Sequence, residues 1–119
     1  MENQPTENEL NEINKLLSLS DDELYIELAK SENMQGLPLD LLNWGKERFY
    51  IIKDNLKSKV CGSETVKHVC KSENGRSETE IIIAIGAALN IAVPGGSYLL
   101  VAALMFRYGI NDLCAKQWG

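Results

Sequence analysis

From Ile81 to Phe106 the chain runs 26 consecutive residues without a formal charge. So much apolar surface must leave water, either into a protein core or into a bilayer. At its centre stand Val93, Pro94, Gly95, Gly96 and Ser97. Proline removes a helical donor and the paired glycines favour a turn. The stretch is therefore predicted to form two helices of about 15 residues each, over about 78–92 and 97–114, joined as an apolar hairpin. Ser77-Glu78-Thr79-Glu80 opens the first arm as a capping box, with the serine hydroxyl and the Glu80 carboxylate, three residues on, each closing the other's backbone amide. The one strand-like run, Ile81-Ile82-Ile83, continues into alanines, which favour helix.

The choice between core and bilayer turns on length. A hydrocarbon core of about 30 Å takes about 20 helical residues, whereas a 15-residue arm reaches about 22 Å. The interrupting Pro-Gly-Gly and Asn90 count further against spanning. The favoured reading is a hairpin that supplies half the core of a helical domain and is apolar nearly all round because other helices surround it. The alternative is a membrane-inserting protein acting through 81–106, with Pro94 kinking one continuous helix.

The upstream sequence offers helices to cover that hairpin. Residues 1–9, rich in Glu, Asn, Pro and Thr, are expected to be a disordered acidic tail. Leu10, Ile13, Leu16 and Leu17 recur at helical spacing over about 7–18. Ser20-Asp21-Asp22-Glu23 is a second capping box, opening a helix to about Asn33. Gly36-Leu37-Pro38 breaks the pattern, and Pro38 suits the first turn of a longer helix to about Cys61, stopped by Gly62. Leu41, Phe49, Ile52, Leu56 and Val60 mark its buried stripe, with Trp44 alongside and Lys46, Lys53, Lys57 and Lys59 mostly off it. Ser63 can cap a short helix carrying Val66, Val69 and Cys70, and the polar segment 71–77 reads as a linker. The expectation is an all-α small bundle of about five helices in one domain over 10–119: amphipathic helices over 10–70, the linker, then the apolar hairpin over 78–114.

Charge is unevenly distributed within a formal net of −5. Residues 1–40 carry −8, residues 41–80 carry +2 and the remainder +1. Nucleic-acid binders need a positive face, so a nucleic-acid partner is disfavoured. The lysines of the long helix are expected to form a solvated face meeting Asp21, Asp22, Glu23 or Glu27. Three cysteines, Cys61, Cys70 and Cys114, are an odd number. That count fits a disulfide framework poorly and a reducing compartment better, and the polar, acidic start lacks the pattern of a secretion signal. A cytoplasmic location is expected.

Catalytic signals are sparse. Cys61, His68, Cys70 and Cys114 are types that close tetrahedral zinc sites, but the spacing matches none of the common patterns, and buried thiols behave as small hydrophobes. No metal site and no cofactor are expected. A single histidine allows only one cysteine–base pair, and serine-hydrolase, P-loop and dinucleotide fingerprints are missing. The chain is read as a non-enzyme. Trp44 and Trp118, the largest apolar groups, are of the type enriched at interaction hot spots, and with Arg48 they are the candidate partner-binding residues. A core or end-sealing role is the competing reading of each tryptophan, with Cys114-Ala115-Lys116-Gln117-Trp118 folding back over the bundle.

Trp44, Arg48, Leu56, Cys61, the apolar hairpin and the ending Gly109-Ile110-Asn111-Asp112-Leu113-Cys114 together resemble small bacterial all-helical accessory domains. In those, an apolar hairpin ends in a Gly-hydrophobic-Asn/Asp-x-Leu/Phe-Cys pattern. The likeness covers about residues 40–114 and brings no catalytic residues with it. It implies an accessory or adaptor role, as in bacterial defence systems. The functional expectation is a protein-interaction module that docks a partner protein or forms a homo-oligomer.

Overall fold

Capping decides where most of the helices begin. The computed structural model describes residues 6–71, 77–89 and 98–118. The turn expected over 93–97 lies outside them, as does the linker of 71–77 apart from its two end residues. Helix α1, Glu7–Leu17, starts at Thr6, whose hydroxyl accepts from the Glu9 amide at 3.1 Å while Glu9 returns a carboxylate oxygen to the Thr6 amide at 2.9 Å. Residues 6–9, expected in the tail, are therefore a cap and first turn. Helix α2, Asp21–Ser31, opens on the Ser20/Glu23 box the sequence predicts. Helix α3, Pro38–Cys61, has proline in its first turn and Gly62 at its end. Helix α4, Glu64–Cys70, is capped by Ser63, and α5, Glu78–Leu89, by the Ser77/Glu80 pair.

The C-terminal arm departs from expectation. It forms α6, Tyr98–Tyr108, then α7, Ile110–Leu113, and α8, Ala115–Trp118. Gly109 breaks it at φ +112, a backbone conformation that residues with a Cβ rarely adopt. The fold is all-helical among the described residues, with eight helices in place of about five, and much of the difference arises at this glycine.

The core is built around α6. Leu99 to Met105 are all buried, and α1, α2, α5 and α7 pack about them. Ile82, Ala84, Ile85 and Leu89 of α5 join Ile13, Leu24, Leu28, Phe49, Val60 and Val66 from the amphipathic helices. Among the described residues no helix is long and apolar enough to cross a membrane.

Two polar ties fasten the first two helices to α6. Arg107 donates to Asp21 at 2.7 Å and to the carbonyls of Leu17 and Leu19 at 3.1 and 2.9 Å, so it closes orphan acceptors at the end of α1. Asp21 is thus partnered from α6, and not by the α3 lysines expected to reach it. The Tyr98 hydroxyl donates to Glu9 at 2.6 Å. That bond, then the Thr6 amide, holds the Glu9 carboxyl below its usual range and raises the Tyr98 phenol.

The backbones of α2 and α3 approach closely at Gly45. A Cβ there would overlap the Tyr25 carbonyl oxygen and sit 2.6 Å from its carbon. Phe49, one turn on, is fully buried, with the Tyr25, Tyr50 and Tyr108 rings tilted about it at 5.9, 6.1 and 6.3 Å. Lys53 is not on the solvated face where its spacing placed it: it is only 8% exposed. Its stem covers apolar surface, its ammonium lies over the Tyr50 and Tyr108 rings at 5.2 and 4.9 Å, and Asp54 pairs with it at 3.1 Å.

The cysteines also correct the sequence reading. Cys61 and Cys114, expected as free buried thiols, form a disulfide with Cα atoms 5.3 Å apart, closing 53 residues of chain. By chain entropy such a loop adds about 4 kcal/mol to stability. Cys70 is the free thiol. An odd count is as natural for one bridge plus a spare thiol as for three free thiols, so it carries no argument for a reducing compartment.

Candidate interaction surface

Trp44 and Arg48 stand one turn apart on α3, next to the surface that packs on α2. Leu41, Gly45 and Phe49 form the buried side. Rotating outward, the next line of residues is Leu37, Trp44 and Ile51, spaced by seven. Heptad spacing keeps them in a row that drifts only about 20° per repeat. All three are exposed, at 71%, 39% and 53% of their surface. The Trp44 indole rests against Gly36, where a Cβ would lie 3.4 Å from the ring.

One local feature of this row runs against folding economy. Helices α1, α2, α4 and α5 all begin with a threonine or serine whose hydroxyl accepts a backbone amide. Helix α3 is the longest, yet its N-cap is Leu37, with no side-chain hydrogen bond. Leucine is among the poorest N-caps, worth about 1 kcal/mol less than serine. A largely exposed leucine at this position returns nothing through packing.

Beside the apolar row runs an acidic one. Asp40, Glu47 and Asp54 repeat at the same spacing, each three residues after its apolar neighbour, and all three are exposed. Asp54 holds the Lys53 ammonium; Asp40 and Glu47 make no ion pair among the described residues. On the opposite flank Arg48 Nε is buried 3.2 Å from Glu32 Oε1, an ion pair whose geometry falls short of a hydrogen bond. A groove of about 290 Å³ continues that flank between α2 and the start of α3, lined by Glu23, Ile26, Glu27 and Leu41 among others.

Trp118 lies elsewhere. Its indole N–H donates to the Cys61 carbonyl at 2.8 Å, closing the C-terminal end of α3, and the Lys71 ammonium sits 5.9 Å from its ring. The fold-back expected of the last residues is therefore present. Seventeen residues of helix, about 25 Å, separate this contact from Trp44. Of the three residues expected to bind a partner, the structure brings together Trp44 and Arg48 and sets Trp118 apart. Leu37, Ile51 and the acidic row were missed, although their spacing from Trp44 was the signal.

The chemistry-bearing groups singled out from the sequence are Cys61, His68, Cys70 and Cys114. Burial pushes the Cys70 thiol up, away from the thiolate that a nucleophile needs. It borders a cavity of about 380 Å³ shared with Ile81, Phe106 and Asp112. His68 is exposed. Among the described residues no group of three or more His, Cys, Asp or Glu is placed to hold a metal ion, and the bridge between Cys61 and Cys114 removes two of the four residues considered. Comparison of the chain with protein-family models, with curated proteins and with solved structures finds no match.

Proposed function

We propose that the protein is a non-enzymatic interaction module that docks a partner protein on the outer face of α3, with Trp44 as the anchor and Arg48 at its edge. The observation that carries this reading is the exposed apolar row of Leu37, Trp44 and Ile51, begun by an uncapped leucine, beside the side of α3 that Leu41, Gly45 and Phe49 bury in the core. Sites where a sequence breaks a local rule without structural return are where function is expected. Aromatic anchors ringed by polar groups are the usual composition of binding hot spots. Trp118 takes an end-sealing role in this reading. An adaptor of the kind implied by the resemblance to bacterial accessory domains requires such a surface and no catalytic centre.

The test places a photo-crosslinking amino acid at Ile51, and for comparison at exposed Thr65 on α4, in the protein expressed in its native cells. A discrete adduct at position 51 that is missing at position 65 is the expected result, and Trp44→Ala should abolish it while circular dichroism shows the variant still folded at the temperature of the experiment. An adduct indifferent to Trp44→Ala removes the reading.

A further inference from the structure

Charge around the α3 face narrows the chemistry of its partner, on the basis of the docking reading above. The apolar row is flanked by Asp40, Glu47 and Asp54 on one side. On the other, the nearest cation, Arg48, is already neutralised by Glu32. Glu23, Glu27 and Lys30 line the neighbouring groove, with Lys30 3.9 Å from Glu27, so Glu23 is the acid there without a cation at ion-pair distance among the described residues. The only acid of the row with a cation of its own is Asp54. A partner lying across Trp44 therefore pairs best when it brings positive charge to Asp40 and Glu47, because carboxylates covered without a partner are costly and flanking charges set partner choice.

Geometry sets the shape of the occupant. Leu37 to Ile51 is fourteen residues of helix, about 21 Å, which matches four turns of a second helix laid along α3. Helix-in-groove recognition uses apolar anchors at that repeat, with the flanks setting partner choice. A second copy of this chain fits badly. Laid antiparallel, it sets Asp40, Glu47 and Asp54 against the same three acids. Laid parallel, it brings them only to an arginine that is already paired.

We infer that the occupant of this face is a basic amphipathic helix, with an apolar heptad seam over Leu37, Trp44 and Ile51 and with lysines or arginines over Asp40, Glu47 and Asp54. The probe is a displayed library of 21-residue helical peptides whose seam is fixed as leucine and alanine and whose flanking positions are randomised among Lys, Glu and Gln. Selection on the full chain should enrich lysine on one flank. The winners should bind at least tenfold more weakly to Trp44→Ala, and more weakly as salt is raised. A chain carrying Asp40→Lys, Glu47→Lys and Asp54→Lys should select glutamate there instead.

Peptides that depend on Trp44 but show no charge preference overturn this inference and leave the docking reading standing. Selection that yields no binder dependent on Trp44 overturns both. Light scattering on the purified chain supplies the remaining arm. A dimer that Trp44→Ala dissolves makes the occupant a second copy and also overturns the basic-helix inference.

Discussion

The two ends of α3 each carry a tryptophan, and the fold treats them in opposite ways. At the C-terminal end Trp118 gives its indole hydrogen to the Cys61 carbonyl, beside the bridge from Cys61 to Cys114. In the N-terminal half Trp44 lies against Gly36 in an exposed row begun by an uncapped Leu37. Both residues are equal in size and apolarity, and what divides them is the polar partner available. An open carbonyl at the end of a helix draws the Trp118 indole into the fold, whereas Trp44, resting on Gly36 with no such acceptor bonded, keeps 39% of its surface exposed. The sealed end stabilises the domain; the open face does not need to.

The contrast is broken most strongly at the sealed end. Cys114→Ser, or reduction of the wild type, should lower unfolding stability by about 4 kcal/mol in urea titrations, the loss of loop-closure restraint. Binding of peptides at the Trp44 face should persist below the new midpoint. Behind that face, Gly45→Ala drives a methyl into the Tyr25 carbonyl and should cost about 3 kcal/mol, read by thermal circular dichroism. Because Gly45 sets the distance of α2 from the open face, this variant should weaken docking as well, unlike Cys114→Ser.

The smallest effect belongs to neither end. The Glu9 carboxyl is lowered in the folded state by the Tyr98 hydroxyl, so the bond stabilises above the unfolded carboxyl's pKa and is lost as pH falls through the folded value. For so exposed a pair the contribution is below about 1 kcal/mol. Urea midpoints of wild type and Tyr98→Phe should differ at pH 6 and draw together as pH falls below the ordinary carboxylate range; a difference that holds constant as the solution is acidified contradicts the assignment.

Much of the fold was legible because local rules acted without competition. The Ser20 and Ser77 boxes, Pro38 and the stop at Gly62 are signals that tertiary contacts did not override, and arm length, the Pro-Gly-Gly interruption and Asn90 favoured core for the uncharged stretch, whose described parts α5 and α6 are largely buried. Other features depend on contacts remote in sequence. Cysteines 53 residues apart say nothing of their meeting until α7 turns Cys114 back, and that turn hangs on the positive φ of Gly109. Lys53 looked solvated because its burial needs Tyr108, 55 residues on. At the candidate surface, Trp44 and Arg48 were visible as residue types. Leu37 and Ile51 share the heptad spacing of Trp44, but it is their exposure in the fold that makes that spacing informative.

The most direct test of the central claim is the urea unfolding of Leu37→Ser. A serine at this position can accept from the Asp40 amide, as Ser20 does from Glu23. If the apolar row is kept for a partner and not for the fold, the variant should gain about 1 kcal/mol with an unchanged slope. A loss of stability of that size would mean that Leu37 packs within the domain, and the outer face of α3 would then be part of the core.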